Sequence, residues 1–74
     1  MRPSKLKPGA KILYTFFGNE EREGIFIRRQ PSERFRQPAV NFIRFPHLAG
    51  VDGPQDDGTC QISDYDLSRK GRQA

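Results

Sequence analysis

Most of the chemistry in this chain of 74 residues lies in five arginines, Arg28, Arg29, Arg34, Arg36 and Arg44, interleaved with Phe26, Phe35 and Phe45. A guanidinium is a planar, weakly hydrated fork that can give a phosphate two parallel hydrogen bonds. An aromatic ring beside it offers a face on which a base can stack. Together the eight residues fit a nucleic-acid-binding surface that neutralises phosphates, reads little sequence and weakens steeply with salt. A plainer reading stands beside it, a solvated charged face over core phenylalanines.

Few other side chains offer chemistry. Cys60 is the only cysteine and His47 the only histidine. A nucleophilic Cys60 needs a base, and only His47 is available, so a small buried hydrophobe is the expectation. A single cysteine excludes an intrachain disulfide and a cysteine-based zinc site. Asp64 and Asp66 read as turn caps rather than as an acid–base pair. The segment 47–57 holds three Asp, but it lacks the alternating acidic positions and closing Glu of a calcium loop. The expectation is a non-enzymatic chain with no cofactor and no metal.

The net charge of +4 is unevenly spread. Residues 1–50 carry ten Lys/Arg against four Asp/Glu, residues 51–68 carry five Asp and no base, and residues 69–74 add three bases. A basic body with a segregated acidic stretch suits a polar partner surface or head-to-tail contacts between copies; solubility alone is the simpler reason.

The elements that must position these groups are short strands. No segment holds a helical period over three turns, and there are no internal repeats. Lys11 to Phe17 reads as a strand with Ile12, Tyr14 and Phe16 on one face and Leu13, Thr15 and Phe17 on the other. Gly24 to Arg29 follows, with Ile25 and Ile27 opposite Phe26 and Arg28. Residues 30–38 read as a loop. Ala39 to Phe45 is the third strand, with Val40 and Phe42 opposite Ile43 and Phe45. Gly58 to Leu67 reads as a strand, Cys60 and Ile62 sharing a face, that runs into a tight helical turn. There Asp64 caps and Leu67 folds back underneath.

The prediction is an all-β chain of four to five antiparallel strands closed as a small barrel, with a short 3-10 turn near the C-terminus. Residues 1–8 form a flexible basic arm, 9–68 the folded unit and 69–74 a basic tail. So small a unit cannot cover both faces of its sheet. Phe17, Phe26 and Phe45, read as lying away from Ile12, Ile25 and Val40, would then suit a dry interface. A protein partner, or a second copy of the chain, is the competing expectation. The longest apolar run, Ile12 to Phe17, is too short to span a membrane. No secretory leader pattern is present, so a soluble cytoplasmic protein is expected.

Several residues carry a fold-level resemblance over roughly residues 8–68. They are the Pro8-Gly9 turn, Gly24 opening the second strand, Val40-Asn41-Phe42, and Ile62 followed by Asp66-Leu67. The pattern resembles SH3-like barrels in their Tudor and KOW-type variants, a family used for binding peptides, methylated side chains, RNA or DNA. The chain departs from it in having no Trp for an aromatic cage or a proline-peptide groove. Gln61-Ile62 is also similar to the Gln-Ile pair in the last strand of plasmid-type dihydrofolate reductases, but Ser63 stands where that family has Tyr. That resemblance implies a third reading, a reductase.

Overall fold

The computed structural model describes residues 2–33, 36–51 and 53–74. Among the described residues, five antiparallel strands form one sheet: β1 (Lys11–Thr15), β2 (Glu21–Gln30), β3 (Val40–Arg44), β4 (Thr59–Ser63) and β5 (Gly71–Gln73). One helix, α1 (Asp64–Lys70), lies between the last two strands. The order across the sheet is β4-β3-β2-β1-β5. Each of β2, β3 and β4 therefore pairs with its predecessor, and the chain crosses from one sheet edge to the other through α1. The mostly β, antiparallel expectation holds.

The expected short 3-10 turn is instead a seven-residue α-helix. Its cap is Ser63, whose Oγ accepts from the Asp66 amide at 3.2 Å. Asp64 and Asp66 occupy the first turn and Arg69 and Lys70 the last, which suits both ends of the helix dipole. Asp64, expected to be the cap, turns its carboxylate elsewhere. Leu67 is fully buried beneath the helix, as expected.

Both termini are more structured than their composition suggests. Residues 71–73, read as part of a tail, pair with β1 in the register Ile12↔Gln73 and Tyr14↔Gly71. Arg72 clamps the pairing from outside through two hydrogen bonds to Glu21, at 2.9 and 3.1 Å. In the arm, Pro3–Lys5 forms a 3-10 turn with Pro3 buried, and Leu6 packs against the core.

The core comprises Ile12, Tyr14, Phe26, Ile43, Phe45, Ile62 and Leu67. Phe45 sits at its centre, 4.9 Å between centroids from Phe16 and 6.0 Å from Tyr14. Two glycines make room for it. A Cβ on Gly24 would lie 2.6 Å from the Phe45 ring. One on Gly58 would lie 2.1 Å from the Phe45 carbonyl, and Gly58 has a φ of +85° that side chains disfavour.

The inner face of β1 is the expected one, but β2 and β3 need a correction. Their inner face carries Phe26, Ile43 and Phe45, whereas Ile25, Ile27 and Val40 lie on or towards the outer side. Alternation shows which residues share a face, but covering by α1 and the N-terminal segment decides which face is the core. Among the described residues, no helix is long and apolar enough to cross a membrane.

Candidate nucleic-acid interface

A single bulge in β2 decides which arginines meet solvent. Phe26 pairs with Ile43 and Arg28 with Phe42, so β2 spends one extra residue, Ile27, against β3. A bulge of this kind inverts the alternation beyond it. Arg28 therefore leaves the Phe26 face and points outward, while Arg29 turns inward opposite the fully buried Asn41.

On the outer face, three strands bring nine residues into register. Ile25, Arg44 and Thr59 form one row; Arg28, Phe42 and Gln61 the next; Gln30, Val40 and Ser63 the third. Phe42 is the central position. The Arg28 guanidinium lies 3.9 Å from the centroid of its ring, a cation–π contact. Arg44 stands two residues along β3 on the same side, exposed, and its charge helps to hold Asp57 below the usual carboxylate range. The larger part of that Asp57 shift comes from hydrogen bonds donated by Thr59. Phe42 was not among the expected site residues. Its alternation with Arg44 was legible, but the face to which both belong was not.

The other expected residues separate. Phe26 is 2% exposed and Phe45 is 0% exposed, so neither ring can stack on a base. Both fill the interior because the inner face is the covered one. Arg29 is also withdrawn: its Nη2 donates to Asp64 Oδ2 at 2.6 Å and its Nε lies 3.2 Å from both carboxylate oxygens. Asn41 Nδ2 adds a bond to Asp64 Oδ1 at 2.8 Å and another to the Ile62 carbonyl at 3.1 Å. Arg29's donation, assisted by Asn41 and opposed by burial, holds the Asp64 carboxyl below its ordinary value. Asn41 Oδ1 is buried and, among the described residues, has no hydrogen-bond partner. Arg36 is exposed in a turn with φ of +71°. Arg34 and Phe35 lie outside the described residues.

The remaining candidates are structural. Cys60 packs at the edge of the core and its thiol donates to the Gly58 carbonyl at 3.7 Å. The His47 ring meets Phe16 and Phe45 edge-on. Gln61 and Ile62 face opposite sides of β4, Gln61 outward beside Phe42 and Ile62 into the core. Among the described residues, no three His, Cys, Asp or Glu side chains gather to hold a metal ion. Phe17, at the turn after β1, is fully exposed.

No family model, curated protein or solved structure matches this chain.

Proposed function

We propose that this chain is a small non-enzymatic binding module of SH3-like barrel type whose ligand is nucleic acid. The observation that carries the reading is the outward row of Arg28, Phe42 and Gln61, with Arg44 beside it. One guanidinium lies over the half-buried Phe42 ring, and a second stands two residues along β3 on the same face. Such a surface neutralises a few phosphates and stacks weakly, so its affinity falls steeply with salt. The overall charge of +4 favours encounter with a polyanion. The return of the last strand to β1 supports the SH3-like assignment. A fluorescence-anisotropy titration with a labelled single-stranded oligonucleotide at low and moderate salt tests the proposal. Loss of affinity on changing Arg28 and Arg44 to Gln supports it, whereas no binding at low salt overturns it.

A second reading, self-association, is favoured by Phe17, which is fully exposed on the turn after β1. A solvated phenylalanine there would anchor a contact between copies. Sedimentation separates the two: an oligomer insensitive to salt and disrupted by Phe17→Ser supports self-association. A monomer that changes only when oligonucleotide is added supports the first reading.

A further inference from the structure

Beside Phe42 the outer face opens into a cavity of about 240 Å³. Phe42 and Val40 line it together with Gln30, Gln37 and Gln61. Among the described residues, none of these three carboxamides makes a side-chain hydrogen bond. We infer that this cavity is a subsite for one unpaired nucleobase, stacked against Phe42 and held at its edges by the glutamine carboxamides. The inference rests on the nucleic-acid reading above and names the part of the ligand that the outer face receives.

The chemistry is specific to a planar heterocycle. A carboxamide offers both an acceptor and two donors, matching the mixed donor and acceptor edge of a base. A half-buried aromatic ring with one face under a guanidinium supplies the stacking surface. The volume is below the ~300–1,000 Å³ of drug-sized pockets, so it suits a single ring system. Charge orients the strand. Glu33 also lines the cavity and repels phosphate, whereas Arg28 and Arg44 lie along the sheet to one side. A base therefore enters the glutamine end while its phosphates run over the arginines. A base paired within a duplex cannot enter, so the ligand is single-stranded.

The test uses the full chain and three labelled probes carrying similar phosphate charge: a mixed-sequence single-stranded dodecamer, its abasic counterpart, and a six-base-pair duplex whose two strands together carry about as many phosphates. The single strand is expected to bind about tenfold more tightly than the abasic strand, the scale of one stacked base. Gln61→Ala and Gln30→Ala should narrow that gap, with thermal melts confirming that both variants fold. Equal binding of intact, abasic and duplex probes overturns the subsite and leaves phosphate binding standing. Insensitivity of the gap to both glutamine substitutions also overturns it. If none of the probes binds at low salt, the nucleic-acid reading falls and the subsite falls with it.

Discussion

Arg29 and Asp64, 35 residues apart in sequence, are joined by a forked ion pair with Nη2–Oδ2 at 2.6 Å. The pair ties the middle of the sheet to the first residue of α1. Asn41, fully buried between them on β3, completes the network. Three elements distant in the chain are thus fastened by one carboxylate.

This geometry sets an acid dependence. Asp64's carboxyl is held below its ordinary value, chiefly by Arg29. Its folded pKa is therefore lower than its unfolded one, about 3.9. The stabilisation is fully present above that value and is lost as pH falls through the folded pKa. Asp64→Asn should cost about 1–2 kcal/mol at neutral pH, for a partly exposed charged pair. Urea unfolding from neutral to acid pH should show a shallower acid loss for the variant. An unchanged profile would mean that the pair does not contribute.

Asn41→Asp should act in the opposite direction along the pH axis. The new carboxylate would face Asp64 across what is now a 2.8 Å hydrogen bond. Two carboxylates at that distance cannot both ionise without penalty, so one pKa rises above its unfolded value. The variant should be least stable at neutral pH and recover relative to wild type as pH falls through that raised value. Parallel melts of both proteins across the range measure the crossover.

Phe42 on β3 and Phe45 just after it should separate stability from binding. Phe45→Ala empties the centre of the core and should cost about 3–5 kcal/mol, enough to unfold many domains of this size. Phe42→Ala lies on the outer face and should cost about 1 kcal/mol or less. Only the latter leaves a folded protein in which lost oligonucleotide affinity can be read by anisotropy.

Salt should distinguish the arginines. If Arg28 and Arg44 contact phosphates, changing either to Gln should reduce the slope of log affinity against log salt by about 1. Arg29→Gln should leave that slope unchanged and lower the melting temperature instead. A slope that responds to Arg29 and not to Arg28 would place the contact surface elsewhere.

Removal of residues 71–74 should destabilise the protein measurably. It strips β5 from β1 and deletes the Arg72 clamp on Glu21. The edge of β1 would then lie open, a template for aggregation. Light scattering during a thermal ramp should show an earlier onset for the truncated chain.

Much of the fold was legible in the residues. The β1 face of Ile12 and Tyr14, the strand at Val40–Arg44 and the burial of Leu67 follow from period-2 patterning and turn chemistry. The side of β2 and β3 facing the core was not legible, because phenylalanine and isoleucine occur on both. Asn41 misleads in the same way: a polar residue between Val40 and Phe42 looks solvent-facing until Arg29 and Asp64 are known to meet it. The strand at 71–73 was hidden because Gly-Arg-Gln has little strand propensity. Tertiary pairing with β1 holds it in place. Of the expected contact surface, Arg28 and Arg44 remain on the outer face, and the aromatic ring beside them is Phe42 rather than Phe26 or Phe45.

The extra residue at Ile27 acts as a parity switch for everything downstream on its strand. Counted straight through, the chain would hide Arg28 and display Arg29; the insertion reverses that assignment. Deleting Ile27 would flatten the kink yet keep each guanidinium on its present side, since Arg28 would follow Phe26 directly. Pairing Ile27 into the ladder, by contrast, would exchange the fastened and the exposed guanidinium in one step, turning a local change of register into a change of surroundings for two neighbouring cations.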